Sequence, residues 1–118
     1  MSRSYQIFLE EFIEKKDLAG IIKSFYGYNN DIGDFTIQNK EASVWINYSG
    51  TEVDKDYYQE EIEEVLCKYN IKIRYVINLE LSSHEKSELI VNKLYSELKK
   101  KYIKIILMNQ DGEYFEKL

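Results

Sequence analysis

Apolar positions recur on two different periods along this chain, and the period decides which element each stretch predicts. Residues 5–16 place Phe8, Leu9, Phe12 and Ile13 at helical spacing, so a first helix is expected there. Asp17 is placed to cap a second helix with Leu18, Ile21, Ile22 and Phe25 on one face; Gly20 weakens it and Gly27 ends it. The Asn-, Asp- and Gly-rich stretch 28–33 reads as a loop. Two runs then switch to period two. Phe35 and Ile37 alternate with polar residues across 34–38, and Val44, Ile46 and Tyr48 do so across 43–48, with Asn39 and Lys40 in the short tie of a hairpin.

Ser49-Gly50-Thr51 breaks the second strand, and Asp56 is placed to cap a helix over 57–69. Its inward positions are Tyr58, Ile62, Val65, Leu66 and Tyr69, its outer face is Glu60, Glu61, Glu63 and Glu64, and Asn70 stops it. The clearest strand is 71–81, where Ile71, Ile73, Tyr75, Ile77, Leu79 and Leu81 alternate with mostly polar residues. Ser82 and Glu85 form a capping-box pattern for a helix to about Lys99 that buries Leu89, Ile90, Leu94 and Leu98 and ends in Lys99, Lys100 and Lys101. A strand over 103–108, a turn over 109–112 and a short strand over 113–116 complete the chain.

The order is therefore α-α-β-β-α-β-α-β-β, an α/β (α+β) arrangement over a single domain, 1–118, with a mixed sheet of about five strands. Strand–helix–strand units imply parallel neighbours, and the terminal hairpins imply antiparallel ones. The strands alternate, so one sheet face is expected to be open to water, or covered by the two N-terminal helices. If Val44, Ile46 and Tyr48 face the helices, Trp45 and Asn47 point to the other face, with Trp45 beside Lys72, Arg74 or Asn78.

Composition, charge and the N-terminal segment add four constraints. Eleven Tyr, five Phe and one Trp among 118 residues, with 44% apolar and 31% charged, describe a chain that folds around a core. The lone cysteine, Cys67, rules out an internal disulfide and multi-cysteine metal sites, and its place near a helix C-terminus disfavours a thiolate, so it reads as structural. The N-terminus lacks a signal-peptide pattern and no apolar run is long enough for a bilayer, so a cytoplasmic protein without membrane contact is expected. The net charge of −5 is unevenly spread: residues 31–64 carry ten acids against Lys40 and Lys55, whereas 65–108 carry nine bases against four acids. The acidic half disfavours nucleic acid and favours a basic partner; as a bland alternative it is simply a solvated helix face.

Candidate chemistry is sparse. His84, the single histidine, reads as an exposed residue of a helix first turn. Asp31, Asp34 and Glu41 resemble the acids of a metal nuclease, but Ser43 stands where such motifs carry lysine. Asp54 and Asp56 around Lys55 lack the EF-hand pattern, and the glycines make no phosphate-binding loop. Lys99 to Lys101 with Tyr102, and Lys72 with Arg74, are the set an RNA-binding module would use; a solvated helix end explains the lysines as well. No catalytic residue, cofactor or metal ligand is assigned. Tyrosines are the more informative feature. Tyr26, Tyr28, Tyr48, Tyr57 and Tyr58 surround the acidic segment, whereas Tyr69, Tyr75 and Tyr95 read as edging the core with their hydroxyls in water.

The runs Asp31-Ile32-Gly33-Asp34-Phe35-Thr36-Ile37 and Ala42-Ser43-Val44-Trp45-Ile46-Asn47-Tyr48, with the acidic helix, the strand 71–81 and the helix–strand unit 82–108, resemble small acidic immunity proteins of bacterial polymorphic and contact-dependent toxin systems. The resemblance implies a non-enzymatic binding protein that neutralises a cognate toxin, often a basic nuclease, by occluding its working surface. It assigns no individual residue. From the residues themselves, Trp45, Tyr57 and Tyr58 are the expected anchors and Asp54, Asp56, Glu60, Glu61 and Glu64 the expected charges. The competing readings are a phage or mobile-element inhibitor of a host defence protein and a small metal-dependent enzyme using Asp31 and Asp34.

Overall fold

Residues 5–9, the first part of the helix expected over 5–16, belong instead to the strand Arg3–Leu9 around which the sheet is built. The computed structural model describes residues 3–25, 27–29 (backbone only) and 34–117. Among them the elements are β1 (Arg3–Leu9), α1 (Lys15–Lys23), β2 (Gly27–Asn29), β3 (Phe35–Asn39), β4 (Ala42–Asn47), α2 (Gln59–Tyr69), β5 (Tyr75–Leu81), α3 (Ser87–Lys99), β6 (Ile105–Met108) and β7 (Tyr114–Phe115). The strands form one seven-stranded sheet in the order β2-β3-β4-β5-β1-β6-β7. Every pairing in it is antiparallel.

This corrects the expected mixed sheet of about five strands in the order α-α-β-β-α-β-α-β-β. The unit β5–α3–β6 does join two parallel strands. They are not neighbours, because β1 lies between them and runs antiparallel to both. The helical spacing of Phe8, Leu9, Phe12 and Ile13 concealed a second pattern, in which Tyr5, Ile7 and Leu9 are buried on one sheet face and Phe8 on the other. Ile7-Phe8-Leu9 is the continuous apolar run of a strand covered on both sides. Phe12, counted inward in the helical reading, is half exposed. Gly27 does not end α1, which stops at Lys23 with Ser24 as its cap, and part of the expected 28–33 loop belongs to β2.

The larger core lies between one sheet face and the helices α1 and α3. Its rungs run across the strands: Phe35, Ile46, Leu79 and Tyr5 in one, Ile77, Ile7 and Leu107 in the next. Leu18, Ile21 and Ile22 of α1 and Val91, Leu94, Tyr95 and Leu98 of α3 close over them. A smaller core on the opposite face gathers Phe8, Ile106, Val65, Ile71 and Ile73 under α2.

Two helix registers differ from expectation. In α3 the expected core residue Leu89 is 64% exposed, and in α2 Leu66 is 47% exposed. The first error follows from the helix start. Ser82 does not cap α3, because its Oγ accepts the Ser43 backbone N–H of β4 at 3.1 Å. Helical structure begins at Ser87, whose buried hydroxyl donates within the preceding turn, so the inward face is Val91, Leu94, Tyr95 and Leu98. Asp56 likewise does not cap α2, which starts at Gln59. Asn70 does stop it, in the left-handed conformation expected of such a residue, with its N–H on Leu66 O.

Tyr95 is fully buried, against the expectation of a hydroxyl in water. Its Oη lies 3.1 Å from Ile105 O and 2.8 Å from Glu116 O, tying α3 to β6 and to the C-terminal segment. Tyr48, also buried, donates to Ile13 O at 2.6 Å and so belongs to the core and not to the acidic surface. Tyr95→Phe leaves those carbonyls without their donor and is expected to cost about 1–2 kcal/mol, read as a lower urea midpoint. Burial, and then Glu116, pushes the Tyr95 phenol well above its ordinary value. The folded state therefore holds this proton more tightly, and stability falls as pH rises above the unfolded tyrosine value of about 10. Tyr95→Phe should make that alkaline loss less steep.

Candidate functional site

The sheet face under α2 changes character along the strands, and the change is written in the register. One rung, Val76, Phe8 and Ile106, is apolar and lies beneath α2. The next, Asn47, Asn78, Gln6 and Met108, is polar except at its end. The third, Thr36, Trp45, Glu80 and Ser4, is polar apart from its tryptophan. A helix gains by covering the first rung and loses by desolvating the others. Among the described residues no helix covers the third rung, and Trp45 there is 39% exposed.

The start of α2 borders this open face. Tyr58 stands edge-on to Phe8, with ring centres 5.7 Å apart and planes at 79°. Its hydroxyl interacts with the side chain of Asn78, and burial raises its pKa, with smaller contributions from Tyr57 and Glu61. Tyr57 packs edge-on to Tyr58 at 4.8 Å but is itself 77% exposed. The chain Phe8–Tyr58–Tyr57 thus runs from the smaller core to a rim in water. Both residues lie in the turn that leads into α2, which points Tyr58 at the smaller core and leaves its neighbour presented to water.

Between this rim and the sheet is an open groove of about 610 Å³, walled by Trp45, Asn47, Asn78 and Glu80 on one side and Tyr57, Tyr58 and Glu61 on the other. Ser4, Gln6, Glu61 and Met108 continue into a second recess of about 360 Å³, which Glu60, Glu64 and Tyr114 border. The Ser4 hydroxyl donates to Glu80 Oε1. Glu64 is held by Lys68 Nζ at 3.0 Å, and that bond lowers its pKa. Burial raises the Tyr114 phenol, and the adjacent Glu64 adds to the shift. Four carboxylates line the two recesses, and among the described residues no lysine or arginine does.

Six of the eight residues singled out in the sequence meet here: Trp45, Tyr57, Tyr58, Glu60, Glu61 and Glu64. Asp54 and Asp56 do not line the groove. Asp54 Oδ1 accepts the backbone N–H groups of Asp56 (2.9 Å) and Tyr57 (3.2 Å) and so shapes the turn that delivers Tyr57 to the rim. Trp45 stands opposite Glu80 in the pairing, with Asn78 one rung away. Lys72 and Arg74 precede β5 instead of flanking Trp45. Ser4, Gln6 and Glu80 were missed as site residues. Gln6 sits in the segment read as helix, and Ser4 directly precedes it; the alternation of Tyr5, Ile7 and Leu9 was the available signal.

The remaining candidates fall elsewhere. Arg74 pairs with Glu52 at 2.9 Å, Lys100 with Glu97 at 2.8 Å, and Lys99 donates to Ile103 O. His84 precedes α3, its Nδ1 accepting the Lys86 N–H and its Nε2 3.7 Å from Glu41. Cys67 is exposed on α2. Among the described residues no three His, Cys, Asp or Glu side chains converge as a metal would require; Asp31, like Tyr26 and the side chain of Tyr28, lies outside them. No helix among the described residues is long and apolar enough to cross a membrane. No family model, curated protein sequence or solved structure matches the chain.

Proposed function

We propose that this chain is a binding protein that neutralises a cognate toxin by docking the groove between α2 and the sheet onto the toxin's working surface. The observation that carries the reading is the open rung of the sheet, where Trp45 stands between polar residues and faces the exposed Tyr57 across a groove lined, among the described residues, with carboxylates and no bases. Aromatic side chains with few rotors supply contact area at low entropic cost. The carboxylates repel phosphate backbones and attract a basic protein surface, setting the encounter rate. A basic toxin, a nuclease among the candidates, has the complementary charge.

The reading is tested by tagging the chain, expressing it in a bacterium that carries the candidate toxin, and identifying stoichiometric partners at low and moderate salt. A basic protein that is captured, is released progressively by salt and is inactive in the complex supports it. Copurifying nucleic acid without protein would replace it with the RNA-binding reading. Glu60→Lys with Glu61→Lys is expected to slow association with the captured protein about tenfold or more at low salt and to flatten the salt dependence. Unchanged rates in stopped-flow measurements would place the interface on another surface.

A further inference from the structure

The groove has a narrower chemical preference than a basic protein surface in general, and this inference rests on the docking reading above. We infer that it receives an arginine side chain of the partner, with the guanidinium plane against the Trp45 indole and its N–H groups paired to Glu80 and Glu61.

Trp45 and Glu80 are directly opposed on neighbouring antiparallel strands, so their side chains rise side by side from the same face. On the other side of Glu80, Ser4 occupies the opposed position of β1, and its hydroxyl holds one carboxylate oxygen. That bond orients the acid. Glu61 borders the groove from α2. A guest between these groups meets an aromatic face and two carboxylates at once. Arginine matches both, since its planar fork stacks on aromatic rings and pairs with carboxylates through parallel N–H bonds; a lysine ammonium has no plane to stack. An apolar plug would desolvate Asn47, Asn78 and both acids while offering none of them a new hydrogen-bond partner. A nucleic-acid backbone would bring phosphates against the carboxylates.

Trp45 is the single tryptophan of the chain, so its fluorescence reports on this groove alone. The full chain is titrated with three tripeptide amides, acetyl-Gly-Arg-Gly, its lysine counterpart and its citrulline counterpart. Citrulline keeps the shape of arginine and removes the charge. A saturable change in Trp45 emission is expected with arginine, weaker by about tenfold or more with citrulline and intermediate with lysine. Glu80→Gln and Glu61→Gln, checked by circular dichroism for an unchanged fold, should each weaken arginine binding severalfold, and together by more than tenfold. Calorimetry on Trp45→Ala covers the variant that fluorescence cannot read, and unchanged affinity there would overturn the stacking role. An absent response, equal responses to arginine and citrulline, or native affinity in the double variant would overturn the inference. If the double variant still captures the toxin with native affinity, the docking reading stands and the arginine pocket fails. If the tripeptide binds as expected while no protein partner is captured or inhibited, the pocket stands and the toxin-neutralising reading fails.

Discussion

Gln6→Pro is expected to abolish folding, although the Gln6 side chain points to the half-open face of the sheet. β1 is paired on both sides, with Gln6 opposite Asn78 of β5 and Met108 of β6. Each backbone N–H in its central part therefore belongs to one ladder or the other. Proline removes one such donor and inserts its ring where the neighbouring strand approaches, a loss of about 3 kcal/mol or more. A domain of this size is stable by about 5–15 kcal/mol in all, and the lesion falls on the strand joining the two halves of the sheet. Near the start of a helix the same substitution would be tolerated, because the first turn has no use for those N–H groups. Far-ultraviolet circular dichroism and urea denaturation of Gln6→Pro beside a Gln6→Thr control therefore test the central assignment of the fold. A cooperatively folded proline variant with native stability would place residues 3–9 outside the sheet interior.

Phe8→Ala is expected to destabilise the domain by about 3–5 kcal/mol, the usual cost of emptying a buried aromatic site. Phe8 is fully buried and is the residue of β1 that faces the smaller core. The loss should be uneven. Phe8 supports Tyr58, and Tyr58 supports Tyr57, so the substitution loosens the first turn of α2 and with it one wall of the groove. Amide exchange is expected to accelerate in α2 more than in β3 and β4, which lie away from Phe8 in the sheet order. Phe8→Leu, which keeps most of the volume, should fall between native and alanine. A uniform loss of protection across the whole chain would show that α2 is no separate support of the groove.

Much of the secondary structure was legible because it is local. The hairpin of β3 and β4, the stop at Asn70, the segments of α1, α2 and α3 and the Tyr75–Leu81 part of the strand expected over 71–81 follow from periods and end signals carried within a dozen residues, although residues 71–74 lie outside β5. The misread cases share one cause. Residues 5–9 fit two periods, and the choice between them is made by β5 and β6, which present ladders to be completed from about seventy and a hundred residues away. Ser82 fits a capping box, but its hydroxyl is taken by the backbone of β4. Leu66 and Leu89 are apolar residues on helix faces whose rotation is set by which strand each helix lies on.

The candidate site divides the same way. Trp45 could be assigned to the face opposite Val44 and Ile46 from alternation alone; the contrast between Tyr57 and Tyr58 was expected from a helix starting at Tyr57, whereas both lie in the turn before α2. Neither shows that the two segments meet. That required β1 to enter between β5 and β6, bringing Ser4 and Gln6 onto the same face, and α2 to settle on the one rung that is apolar. By itself the chain determined an acidic, aromatic-rich fold of alternating strands with an acidic helix. Tertiary structure alone decided which rungs stay open and which charges share a groove, because strand order and register depend on pairings between distant segments that no local period encodes.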